Sequence, residues 1–174
     1  VIDLAIEAIR KRRSIRRYEE KDISDEQVRA LLEVVRCAPS WANKQGWQLM
    51  VIRDAGIRGK VSGVLGGNPA AKAVMQAPVL LVVCMDPAAS GVMKGKEYYM
   101  ADAGILMDHL MLEAAELGLG TVFIGSFDEN GVREVLGVPD DYRIVAMTPL
   151  GYPAKMPGER PRNELDDMVH WDTW

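Results

Sequence analysis

Six cations fall within eight positions at residues 10–17, R-K-R-R-S-I-R-R, with no acid among them. The whole chain carries a formal net charge of −4, and setting those six aside leaves 15 basic residues against 25 acidic ones. A concentrated positive spot on an acidic chain suits an anion, because guanidinium forks bind phosphate through parallel charge-assisted hydrogen bonds. The same cations also suit the C-terminus of a helix, whose dipole they complement. Composition leaves both readings open. A second basic pair, Arg160 and Arg162, stands near the other end of the chain.

Two further stretches could carry chemistry. Residues 37–47, C-A-P-S-W-A-N-K-Q-G-W, combine turn formers, two tryptophans and side-chain amides without any period. Such a loop is either a site or a packed connection. Residues 118–126, G-L-G-T-V-F-I-G-S, begin like a dinucleotide fingerprint. Phe123 occupies the third glycine's position, however, and the glycines follow a helical stretch rather than a strand, so that reading fails on context. No Ser-His-Asp set, H-E-x-x-H or phosphate-binding loop motif appears. Cys37 and Cys84 lie far apart in apolar surroundings. They read as reduced core residues of a cytoplasmic protein, not as a disulfide or metal pair.

These groups need elements to position them. Ile2, Ala5, Ile6 and Ile9 have the spacing of one helix face over residues 2–12. Ser24 and Gln27 form a capping-box pair ahead of a helix carrying Val28, Leu31, Leu32 and Val35. That helix must end before Pro39. A strand at 48–53 and a short helix at 54–65 follow. Residues 78–85 are apolar on both faces, which predicts a central strand covered on each side. Over residues 100–119, at ~100° per residue, Asp102, His109, Glu113 and Glu116 share one narrow stripe, and Asp108 alone stands outside it. The other directions are apolar, which predicts a helix buried on most sides, in part against a second subunit. His109 reads as a solvated or salt-bridged residue. A short buried strand at 121–124, a helix capped by Asp128 and running to Leu136, a strand at 143–151 and a proline-rich extended tail at 152–174 complete the order. The expected fold is α+β, a three-layer sandwich with helices on both faces of a mostly antiparallel sheet. Residues 1–174 are expected to form one domain.

The acidic total argues against a nucleic-acid binder. No apolar run approaches the ~20 residues of a membrane span, and no signal peptide is visible at the start of the chain.

Four stretches, in order, resemble the nitroreductase family of FMN flavoproteins. Residues 12–18 are similar to its R-x-S-x-R-x-[FY] segment, and residues 38–47 to its A-P-S-S-x-N-x-Q-P-W. Residues 102–125 resemble its long interface helix with the glycine-rich entry to the next strand. P-L-G-Y-P followed by R-P-R, within 149–162, matches the fourth.

The resemblance implies a homodimer with two FMN molecules at the subunit interface, fed by NADH or NADPH. It implies transfer to a small electron-poor acceptor, a nitroaromatic or a quinone, by a ping-pong route. Arg12, Arg13, Ser14 and Arg16 would hold FMN. Arg12 would take the phosphate, with Arg160 and Arg162 clasping it again, and Arg16 would lie near the pyrimidine edge. Gly125 and Ser126 would offer backbone N–H groups, and Asn68 matches an asparagine that reaches the ring. Pro39, Ser40 and Asn43 would come from the other subunit. Two positions depart from the family pattern: Trp41 replaces its second serine, and Gly46 its proline. Trp41 would put an indole in the substrate pocket. The loop at 86–97 is short for the lid of larger members. A reductive dehalogenase, a flavin-modifying enzyme and a flavin-binding electron carrier remain alternatives on the same scaffold.

Overall fold

The computed structural model describes residues 7–174. Its elements, in chain order, are α1 (Glu7–Lys11), α2 (Asp25–Val35), β1 (Trp47–Ile52), α3 (Ala55–Val64), α4 (Ala71–Gln76), β2 (Val79–Met85), β3 (Val92–Met93), β4 (Lys96–Glu97), α5 (Tyr98–Glu116), α6 (Glu129–Leu136) and β5 (Arg143–Leu150). The main sheet has the order β1-β2-β5, antiparallel throughout, and β3 pairs with β4 in a separate short hairpin.

β2 is the centre, and all seven of its residues are buried. Successive side chains of a strand point to opposite faces. Val79, Leu81, Val83 and Met85 therefore meet α2 and α5, together with Leu31, Val35, Leu106, Met107 and Leu110. Leu80, Val82 and Cys84 meet the other layer, with Val61 of α3, Val74 of α4 and Val132 of α6. A strand apolar on both faces thus produces the expected three layers.

The capping box at α2 forms as expected. Ser24 Oγ accepts from the Gln27 N–H at 3.1 Å, and Gln27 Oε1 accepts from the Ser24 N–H at 3.1 Å. Ser24→Ala is expected to cost about 1 kcal/mol. It should appear as a lower urea midpoint with unchanged slope, and an unmoved midpoint would deny the cap its role. Asp128 likewise caps α6, accepting from the Asn130 N–H at 3.1 Å.

Several expectations need correction. Of the first helix, Ile2, Ala5 and Ile6 lie outside the described residues. The described part ends at Lys11, and Ile9 is 54% exposed. Residues 121–124 form isolated bridges and no continuous strand. The Val122 N–H there bonds the Thr148 hydroxyl at 3.1 Å, so a side chain takes the place of a ladder partner. Neither α4 nor the β3–β4 hairpin was expected, because six and two residues are too short to show a period. Cys37 is exposed, whereas Cys84 is buried, and burial pushes its thiol pKa up to about 11.

α5 also differs. Asp102 is buried, not part of a solvated stripe. His109 is half-buried, with Nδ1 3.1 Å from the Ile105 carbonyl and no acidic partner among the described residues. Among the described residues, Met100, Ala101, Gly104, Ile105 and Asp108 are exposed, recur at helical spacing and form a mostly apolar face. Among the described residues, no helix is long and apolar enough to cross a membrane.

Candidate functional site

The first basic stretch has two parts. Arg10 and Lys11 close the last turn of α1, where Lys11 pairs with Glu7 at 2.7 Å, so the helix-end reading holds for them. Residues 12–18 are then extended and stitched into the fold. The Ile15 N–H donates to the Thr121 carbonyl at 2.8 Å, and Tyr18 bridges Pro153. Ile15 and Tyr18 are buried with Ala73 and Ala77. The close approach needs Gly120, since a Cβ there would stand 2.6 Å from the Ile15 side chain. Arg12, Arg13, Ser14 and Arg16 line one cavity, which has a volume of about 540 Å³.

The far end of the chain completes that cavity. Glu159, Arg160 and Arg162 line its other wall, with Arg10 and Arg13 alongside. Arg13 Nη2 pairs with Glu159 Oε1 at 2.7 Å, tying the tail to the first cluster. Arg13 also donates to the carbonyls of Arg10 and Arg12. Arg162 Nη1 donates to the carbonyls of Arg160 and Pro161, each at 3.2 Å. The side chains of Arg12, Arg16 and Arg160 have no hydrogen-bond partner among the described residues. They leave three guanidinium forks available to an anionic ligand. A second cleft, about 350 Å³, adjoins this one through Arg12 and Arg13 and reaches the more apolar Ile15, Leu119 and Met156.

The remaining predicted residues group elsewhere. Asn68 Nδ2 donates to the Ser126 carbonyl at 2.8 Å, and Asn68 Oδ1 accepts from the Ala70 N–H at 2.9 Å. Asn68 and Ser126 are therefore brought together. Gly125 lines a small cleft of about 150 Å³ beside Tyr99, Phe127 and Arg143.

Pro39, Ser40, Trp41 and Asn43 do not reach the guanidinium cavity of their own chain. They form a turn against α5 in which Ser40 Oγ accepts from the Gln45 N–H at 2.9 Å. Ala42, Asn43 and Gln45 have φ of 44°, 54° and 52°, in the left-handed region. Each such residue costs about 1–3 kcal/mol and persists only where its surroundings over-determine it. One of those surroundings is Asp102, whose Oδ1 accepts from the Trp41 N–H at 2.9 Å.

Sequence reasoning missed Asp102 and Glu159 as partners. The signal for Glu159 was its place beside Arg160. For Asp102 no signal existed, because a helical wheel does not say which loop will cover a face. A network around Glu129 was also missed. Its carboxylate accepts from Arg143 Nε and Arg133 Nη2, each at 3.0 Å, and from the Ile144 N–H at 2.9 Å. Burial pushes the Glu129 pKa up, but the hydrogen bonds from Arg143 and Ile144 and the charges of Arg143 and Arg133 outweigh it and hold the pKa below its ordinary value. A carboxyl depressed on folding stabilises the fold above its unfolded pKa and loses that contribution as pH falls through the folded one. The stability gap between the native protein and Glu129→Gln is therefore expected to be full above about pH 4.3 and to close below it. Urea midpoints at neutral and acidic pH measure the gap, and one that ignored pH would contradict this account.

In this α+β sandwich, residues 10–16 and 157–162 line one strongly cationic cavity. The family model described as Nitroreductase family matches residues 9–76 and 66–152, and the chain belongs to that family. Over 202 residues it is 30% identical to a Thermus thermophilus protein named NADH dehydrogenase, covering 98% of this chain and 97% of the relative. It is 29% identical to a Bacillus subtilis protein named FMN reductase NAD(P)H, covering 97% of this chain and 74% of the relative. The crystal structure of a nitroreductase family protein from Clostridium difficile 630 superposes with a TM-score of 0.83. That pair shares 28% identity over 96% of this chain and 97% of the other.

Proposed function

We propose that this protein is an FMN-dependent homodimeric oxidoreductase. It takes reducing equivalents from NADH or NADPH and delivers them to a small electron-poor acceptor, a quinone or a nitroaromatic, in a ping-pong sequence. The observation that carries this reading is the convergence of Arg12 and Arg16 with Arg160 and Arg162 on one cavity. Membership of the nitroreductase family and the likeness to an FMN reductase and an NADH dehydrogenase support it.

The donor set fits FMN, which ends in one phosphate. Arg12, Arg160 and Arg162 hold that phosphate, because planar forks match its oxygens. Glu159 occupies Arg13 and keeps the two cationic segments together. Arg16 stabilises negative charge at the pyrimidine edge of the ring. Gly125 and Ser126 offer N–H groups to the ring, and Asn68 braces that loop through the Ser126 carbonyl. When bound, FMN supplies the hydride chemistry, so the chain needs no nucleophile or general base of its own. Its residues bind, orient and balance charge.

The dimer is part of the same proposal. The free face of α5 joins the copies, and Pro39, Ser40 and Asn43 reach the cofactor held mainly by the partner. Trp41, in the same turn, faces the acceptor.

The test is direct. Cofactor released by heat should run as FMN on chromatography, and NAD(P)H consumption should rise on adding a quinone or nitroaromatic. Release of FAD, or flavin binding without acceptor-dependent turnover, would reject the reading.

A further inference from the structure

Asp102 lies on α5 with its carboxyl buried, 4% exposed, and none of the roles above uses it. Its two oxygens are both taken. Oδ1 accepts from the Trp41 N–H at 2.9 Å, and Oδ2 accepts from the Ser90 hydroxyl at 3.0 Å. These partners belong to separate segments. Trp41 opens the turn with three left-handed residues, and Ser90 leads into the β3–β4 hairpin.

The two segments also touch directly. The Trp41 indole lies against Gly91, where a Cβ would stand 2.3 Å from Cε2 and 2.5 Å from Cζ2. No side chain larger than hydrogen fits at position 91 while the ring stays in place. Trp41 is nevertheless 41% exposed in the single chain, so it is not part of that chain's core. The Trp41 backbone is thus held by Asp102 while its ring packs against Gly91.

We propose that Asp102 is a positioning residue for substrate selection. It holds the Trp41 turn and the Ser90–Gly91 segment in register, and the indole so fixed sets the width of the acceptor pocket. This inference rests on the proposed FMN chemistry and on Trp41 facing the acceptor. Asp102 touches neither cofactor nor acceptor. It acts through the Trp41 N–H, and Gly91 acts by leaving room for the ring.

Two variants perturb the arrangement independently. Asp102→Ala removes the acceptor from beneath the turn, and Gly91→Ala pushes the ring aside with Asp102 intact. In both, kcat/KM for a bulky quinone relative to a small planar one is expected to change by about threefold to tenfold, through KM more than kcat. In a Trp41→Ser background neither substitution should add anything, because the group they position is gone. Amide exchange gives a readout independent of turnover. The Trp41 N–H should exchange about tenfold faster or more in Asp102→Ala than in the native protein. If Asp102→Ala does not fold, Gly91→Ala carries the same comparison, whereas Asp102→Asn, whose amide keeps an acceptor for the Trp41 N–H and a donor for the Ser90 oxygen, should stay close to native selectivity.

Unchanged acceptor selectivity in Gly91→Ala and Asp102→Ala, with only the melting temperature lowered, would overturn the proposal. So would an Asp102 effect that persisted in full without Trp41. Loss of the dimer in sedimentation with unaltered selectivity would overturn it in favour of an interface-packing role. In each case the native protein would still bind FMN and turn over, so the functional reading would survive. A native protein that took up no FMN would overturn both.

Discussion

Arg12→Ala is expected to weaken FMN binding by roughly 10- to 150-fold, while leaving riboflavin binding almost unchanged. Arg12 lines both the guanidinium cavity and its more apolar neighbour, and it has no hydrogen-bond partner among the described residues. Its fork is thus free to meet a phosphate, and a hydrogen bond to a charged group is worth about 1.5–3 kcal/mol. That energy corresponds to the stated range. Arg12→Lys keeps the charge but loses the planar fork, so its effect should be intermediate.

Riboflavin makes the test specific, because it carries the ring without the phosphate. A phosphate ligand at Arg12 costs FMN alone. Arg16→Ala, by contrast, should weaken FMN and riboflavin alike if Arg16 serves the ring. Flavin fluorescence titrations of the apoprotein measure all four cases. An Arg12→Ala protein that lost both ligands equally, or neither, would reject the assignment of the phosphate to this cavity.

Ile105→Glu should convert the proposed dimer to a monomer that no longer keeps flavin. Ile105 is 38% exposed and Met100 51% exposed, on the face of α5 that the other described residues leave open. That face is mostly apolar over two turns, and its Gly104 and Ala101 allow close approach. A two-fold interface uses the same patch on both copies, so one substitution places two carboxylates in it. An unpaired buried charge costs on the order of 3–5 kcal/mol. Two such charges would weaken association by roughly four orders of magnitude or more.

The fold of the single chain should survive this change. The core side of α5 is made by Leu106, Met107 and Leu110, all fully buried, and Ile105 is not among them. Circular dichroism should therefore look native while sedimentation shows a monomer. Flavin is lost because Pro39, Ser40 and Asn43 are proposed to act across the interface. A variant that stayed dimeric would move the interface elsewhere. A monomer that kept FMN at low micromolar concentration would show that one chain suffices for the site.

What the sequence determined was local. The Ser24–Gln27 box, the Asp128 cap and the seven-residue apolar run of β2 depend on neighbours within a few positions, and all three appear as expected. The chemistry of the two arginine clusters was legible for the same reason, since residue type and spacing define a guanidinium fork. What it did not contain was who meets whom. The pairing of Arg13 with Glu159 joins positions 146 residues apart, and only the path of the tail along residues 12–18 brings them together. Residues 121–124 were read as a strand because their side chains suit one, but regular pairing needs a partner in register, and Thr148 supplied a hydroxyl in its place. Asp102 shows the limit most clearly. Its helical angle grouped it with His109, Glu113 and Glu116, yet it is buried beneath two loops that satisfy both of its oxygens. A helical period states the direction in which a side chain leaves its own axis. Whether water or another segment waits there is decided by packing between elements distant in sequence, and only the tertiary structure contains that.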